Sequence, residues 1–151
     1  MPSLLHDPHH ARRGFTLVEI FLVLVVLGIL ASYVVIGNAR TGAALVAEAD
    51  ILRAHLRFVQ SLATSNNTGT WTVTFTATGY AVRFDGNPAP VNLPDQNAPN
   101  RSFEGGVTLS AGLGTVTFDA FGAPAATYTL VLSDGERTET ITITGATGLI
   151  P

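Results

Sequence analysis

Apolar and polar positions divide this chain into three regimes. From Phe15 to Ile36 the sequence is apolar almost without interruption, 22 residues with Glu19 as the one charge. As a helix such a run measures about 33 Å, enough to cross the hydrocarbon core of a bilayer. Beyond it, Leu45, Ala49, Leu52, Leu56, Val59 and Ala63 recur at alternating intervals of four and three. That spacing draws one apolar stripe along a helix. Glu48, Asp50, Arg53, His55, Arg57 and Gln60 fall largely off the stripe and read as its solvated face. Gly37 and Gly42 lie between the two helical regimes. Each glycine lowers helix stability by about 1 kcal/mol relative to Ala, which predicts a weak or flexible joint there. Ser65-Asn66-Asn67, then Gly69, should end the helix.

After Gly69 the period changes to two. Trp71, Val73 and Phe75 alternate with threonines, and Tyr80, Val82 and Phe84 alternate with Ala81 and Arg83. The turn around Ala77-Thr78-Gly79 joins them as a hairpin. A second group of strands is predicted at 107–110, 115–119, 127–132 and 138–144, the last two joined across Ser133-Asp134-Gly135-Glu136. Threonine-rich outer faces suit strands that meet water on one side. A helix stripe and one-sided sheet faces must cover each other, so the pattern predicts an α+β fold, a long N-terminal helix on antiparallel sheet. Trp71 and Tyr128 read as core aromatics. Residues 85–106 stand apart, with Pro88, Pro90, Pro94 and Pro99 and several Asn and Gly. They read as a solvated, turn-rich loop, with partner recognition as its functional reading.

The start of the apolar run carries the candidate chemistry. A carboxylate inside such a helix costs a few kcal/mol unless paired, so Glu19 requires a counter-charge. The stretch Gly14-Phe15-Thr16-Leu17-Val18-Glu19, preceded by Arg12-Arg13 and followed by the apolar run, resembles the N-terminus of type IV pilins and type II secretion pseudopilins. The resemblance implies a pilin-like fold. It implies cleavage by a prepilin peptidase between Gly14 and Phe15, with N-methylation of Phe15. It implies that Glu19 pairs with the terminal amine of a neighbouring subunit during assembly. A secretory signal would instead place a shorter apolar stretch before its cleavage site and discard it.

These readings divide the chain into a leader (1–14), a transmembrane helix (15–36), an amphipathic continuation (37–66) and a β-rich exported domain (67–151). Arg12 and Arg13 precede the helix and only Arg40 follows closely, which places the leader in the cytoplasm and the rest outside. The resemblance makes that compartment the periplasm, bounded by an inner membrane. It also implies other pilins or pseudopilins and an inner-membrane assembly platform as partners.

Composition removes several alternatives. The chain has 151 residues, no cysteine and no lysine. An exported domain of this kind is held by packing rather than disulfides. After Ile36 there are six arginines against nine carboxylates, a balance that disfavours nucleic acid. His6, His9 and His10 lie in the leader and His55 on the amphipathic helix, where it reads as a surface residue. No nucleophile–base pair, phosphate loop or cofactor motif appears, so no enzyme and no cofactor are expected. Asp95, Asn97 and Asn100 offer hard oxygens for calcium, but their spacing follows no calcium-loop pattern. Asp134, Glu136 and Glu139 read as solvating charges on a turn.

The segments at 56–63, 71–75 and 118–124 resemble the H subgroup of minor pseudopilins and the related fimbrial T-type minor pilins. That implies a structural subunit of a secretion pseudopilus, with a minor type IV pilin as the alternative. The resemblance to fimbrial T-type minor pilins, some of which bind DNA through arginines near the C-terminus, would imply a DNA receptor only with cations there, and residues 143–151 have none. A hydrolase tethered by a signal anchor would leave Gly14 and Glu19 without a role.

Overall fold

The computed structural model describes residues 16–66 and 68–151, with residues 32–41 as backbone only. One helix, α1, runs from Leu17 to Ser65. It starts at Thr16, whose hydroxyl accepts a hydrogen bond from the Glu19 amide at 3.2 Å while its carbonyl accepts from the same amide at 3.0 Å. Thr16 and Glu19 thus stand at the two ends of a capping-box spacing. The helix closes where the sequence predicts. Thr64 and Ser65 hydroxyls donate back to the Ser61 carbonyl at 3.0 and 2.6 Å, and Asn66 Oδ1 accepts from the Thr68 amide at 3.2 Å. Side chains that compete for backbone partners end helices. Helical backbone runs unbroken through Gly37 and Gly42, while the chain divides into two compact units between Gly37 and Asn38.

In the C-terminal unit the apolar stripe is wholly buried: Leu45, Ala49, Leu52, Leu56, Val59 and Ala63 are each at most 2% exposed. Eight strands follow: β1 (Trp71–Thr76), β2 (Gly79–Phe84), β3 (Asn87–Pro88), β4 (Asn100–Ser102), β5 (Thr108–Ala111), β6 (Gly114–Phe118), β7 (Tyr128–Ser133) and β8 (Thr138–Ile143). They form two antiparallel sheets rather than one. The first has the order β3-β2-β1-β6, with β4 also on β2, and the second has the order β5-β7-β8. The chain therefore weaves: β5 joins the second sheet, β6 returns to pair with β1, and β7 goes back. The sequence groups β5 to β8 together because alternation identifies which face is buried and not which strand is the partner.

The weave needs a tight link between β5 and β6. Gly112 supplies it at φ +87°, with a Cβ there colliding with the Thr129 carbonyl oxygen, a backbone conformation and an approach that suit glycine alone. The inward residues Trp71, Val73, Phe75, Tyr80, Val82, Val116 and Phe118 join Leu109, Leu130, Leu132, Ile141 and Ile143 in one core against the helix stripe. Outward, Thr74 and Thr115 hydroxyls meet at 3.0 Å. Tyr128 is only half-buried, its hydroxyl donating to the Gly112 and Leu113 carbonyls at 3.2 and 3.1 Å.

The Pro-rich segment 85–106 is more ordered than its composition suggests. It contributes β3 and β4, and it buries Ala89 and Leu93 in the core. Its backbone is bonded at intervals: Ala89 N to Val82 O at 3.1 Å, Val82 N to Pro99 O at 2.7 Å, and Leu93 N to Ala98 O at 3.1 Å. Prolines lacking an N–H fit an edge where their carbonyls can still accept.

Candidate functional site

Two parts of the molecule carry candidate chemistry, the first turns of α1 and a polar cluster under residues 85–106. At the helix start Glu19 is exposed and makes no ion pair with any described residue. Ile20, Val23 and Leu24 form a shallow apolar hollow beside it. The surrounding residues are exposed in every direction, from Val25 at 45% to Leu17 at 84%. A helix apolar all round finds its partners in lipid or in other helices. Among the described residues no helix is long and apolar enough to cross a membrane. Of the predicted span, side chains are described only from Thr16 to Ala31. Gly14 and Phe15, with Arg12, Arg13 and the leader histidines, lie outside the described residues.

The second part corrects the sequence reading. Glu48 and His55, taken as solvated, are each 4% exposed. Glu48 Oε1 accepts from Arg101 Nη2 at 2.6 Å, and Oε2 accepts from Arg101 Nε at 3.4 Å. This two-point pairing raises the already high pKa of Arg101. His55 Nδ1 meets the Tyr80 hydroxyl at 2.6 Å and Nε2 meets the Pro94 carbonyl at 2.9 Å. Burial lowers the pKa of His55 and raises that of Tyr80. The cluster ties α1 to β2, to β4 and to the Pro-rich segment. Glu48 and His55 are seven residues apart, on one edge of the apolar stripe. That spacing is the signal that they share an environment, but their partners lie far along the chain.

Other off-stripe residues also have partners. Arg53 bonds Asp50 at 2.9 Å and approaches Glu139 at 3.8 Å. Arg57 donates to the Ile150 carbonyl at 2.9 Å, and Gln60 Nε2 donates to the Gly122 and Gly148 carbonyls at 2.7 and 2.6 Å. Gly42 has a packing role: Arg137 occupies the place that a Cβ there would need. Asp134 Oδ1 accepts from the Arg137 and Glu136 amides, which holds its carboxyl below the usual range. Among the described residues no three metal-ligating side chains converge, and Asp95 stands at φ +57° in a turn.

A capped apolar helix leading into a stripe covered by antiparallel sheets is a pilin-like fold. Residues 9–35 match the prokaryotic N-terminal methylation motif. The fold is that of the type IV minor pilin FimU of Pseudomonas aeruginosa strain PAO1. One crystal form of FimU superposes with a TM-score of 0.53 at 19% identity, over 71% of this chain and 86% of FimU. A second gives 0.52 at 18%, over 71% and 90%. No curated protein matches the sequence.

Proposed function

We propose that this chain is a minor subunit of a pilin-class fibre, specifically the pseudopilus of a type II secretion system that moves folded proteins across an outer membrane. The observation that carries the reading is the methylation motif running into a helix whose apolar surface lies exposed around a single carboxylate. Prepilin peptidase cuts after Gly14 and methylates Phe15. The apolar helix holds the subunit in the inner membrane, with residues 37–66 and 67–151 in the periplasm. On assembly, Glu19 accepts the terminal ammonium of a neighbouring subunit, which removes the cost of an unpaired carboxylate among apolar helices. The inner-membrane platform adds the subunit to the fibre.

A second reading is a minor pilin of a type IV pilus, favoured by the likeness to FimU. Deleting the gene in the native host separates the two readings, since one predicts loss of secretion and the other loss of surface pili.

The test of both is intact mass with N-terminal sequencing of the membrane-bound protein, alongside a peptidase knockout and the variant Gly14→Leu. The expected mature chain begins at methylated Phe15 only when peptidase and Gly14 are both present. A Gly14→Leu chain that is still cut and still functions removes the proposal.

A further inference from the structure

The outer face of the first sheet is hollow along its middle strand. Tyr80 and Val82 turn inward to the core, so positions 79, 81 and 83 face outward on β2. Their neighbours across the sheet are fixed by register. Thr76 and Ser102 flank Gly79, and Thr74 and Asn100 flank Ala81. The middle row is therefore lower than the row on either side. Gly79 has to stay bare, because a Cβ there would collide with the backbone of Arg101 and Ser102 on β4. The result is a trough of about 410 Å³, lined also by Pro88 and Pro99 and closed at one end by Arg83. Small-molecule sites measure about 300–1,000 Å³. From Gly79 to Arg83 the floor runs about 13 Å, longer than a single sugar ring.

The lining selects an occupant. Both edges of β2 are already paired, to β1 on one side and to β3 and β4 on the other, so an extended peptide finds no free backbone row to join. Recognition falls to side chains. The Thr74 hydroxyl meets that of Thr115 at 3.0 Å, and the Thr76 hydroxyl donates to the Gly79 carbonyl at 3.0 Å. The side chains of Thr78, Asn100 and Ser102 have no hydrogen-bond partner among the described residues, and they offer both donors and acceptors. Arg83 Nη1 donates to the Gly86 carbonyl at 3.0 Å, which steadies the guanidinium and leaves Nε and Nη2 free. Among the described residues no carboxylate lines the trough. One cation matches one negative charge, and a guanidinium holds a carboxylate through two parallel hydrogen bonds. The Tyr80 ring is buried in the core, so the floor offers no aromatic face for stacking.

We propose that the trough binds an acidic saccharide: Arg83 holds the carboxylate of a uronic acid unit, while Thr78, Asn100 and Ser102 bond the hydroxyls of that unit and its neighbour. A sugar presents hydroxyls at its edges and C–H groups on its faces. That suits a lining divided between polar side chains and the carbons of Ala81, Pro88 and Pro99. The site stands on the folded sheet alone, whichever fibre the subunit serves.

The test is titration of the full chain with cellobiouronic acid, in micelles of a polyoxyethylene detergent that carries no sugar headgroup. Binding is followed through the backbone amide NMR shifts of Ala81 and Ser102. Saturable shifts with a dissociation constant of about 1 mM or tighter are expected. Cellobiose carries a CH2OH group in place of the carboxylate and should bind at least about tenfold more weakly. Arg83→Gln should lose about the same factor toward the acid. Ala81→Leu fills the floor, so it should abolish binding while the Trp71 unfolding transition stays in place. No shifts up to about 20 mM ligand overturn the proposal. So does equal affinity for cellobiose, unchanged affinity in Arg83→Gln, or binding retained in Ala81→Leu. Acetate or a triglutamate peptide bound as tightly as the disaccharide also overturns it, in favour of a bare carboxylate or a peptide. If Ala81→Leu does not fold, the Arg83→Gln and cellobiose comparisons still decide.

Discussion

Two stretches of one helix, both rich in large apolar side chains, have opposite surroundings. Between Leu17 and Leu30 the large hydrophobic side chains are 45–84% exposed, whereas the stripe from Leu45 to Ala63 is at most 2% exposed. The difference lies in the pattern. The second stretch concentrates its apolar residues on one face, and a pair of sheets can cover one face. The first is apolar on every face, and a one-sided partner cannot satisfy a surface of that kind. A hydrophobic stripe is a folding instruction addressed to the same chain, while an all-round apolar surface is addressed to something outside it. Glu19 sharpens the contrast with Glu48. Both are carboxylates on the same helix, but Glu48 has its cation supplied from within by Arg101 and Glu19 has none among the described residues.

The contrast breaks most visibly in the core. Leu52 is fully buried between helix and sheets, and Leu52→Ala should cost about 3–5 kcal/mol. Urea unfolding of the full chain in detergent reads this through Trp71, the one tryptophan, which is 3% exposed in the core. An unchanged midpoint would show that the stripe does not bear the domain's stability.

Next in size is the internal pair. Glu48→Ala leaves the Arg101 guanidinium, 10% exposed, without its carboxylate. Removing one member of a buried pair strands the other, and with slight exposure on both sides the cost should be about 2–3 kcal/mol. The double variant Glu48→Ala with Arg101→Ala should recover part of that loss in the same assay. Equal losses in the single and double variants would mean that Arg101 finds water and the pair is not internal in any useful sense.

The sequence displayed some of this and hid the rest for physical reasons. The stripe at 45–63 and the alternation at 71–84 were legible because local periodicity alone decides which face is apolar. The β7–β8 hairpin was legible from Asp134-Gly135, whose carboxyl and positive φ build the turn. The assignment of β6 to the first sheet was hidden, because strand partners are settled by long-range packing. Burial of His55 and Glu48 was hidden for the same reason: their polarity places them at the surface until Tyr80, Pro94 and Arg101 arrive from 25 to 53 residues away. The Pro-rich composition of 85–106 similarly concealed that Leu93 anchors it. At the helix start the motif at 14–19 was legible as a sequence, whereas the cap that Thr16 forms with the Glu19 amide came only with the structure.

The smallest expected effect on stability is the one that isolates the comparison. Leu24 is 62% exposed beside Glu19. Leu24→Ala removes as many carbon atoms as Leu52→Ala, but from a side chain that is exposed among the described residues. Substitutions at exposed positions usually change stability by about 0.5 kcal/mol or less, so the Trp71 unfolding transition should stay where it is. The loss should appear instead in whatever covers this stretch. The proposed occupants are lipid and neighbouring helices, so co-purification with the fibre should weaken while the isolated subunit unfolds as before. A variant that shifts the Trp71 transition as far as Leu52→Ala does would mean that the first stretch is buried by its own chain. The division between inward and outward instruction would then fail, because the two halves of the helix would be serving one core.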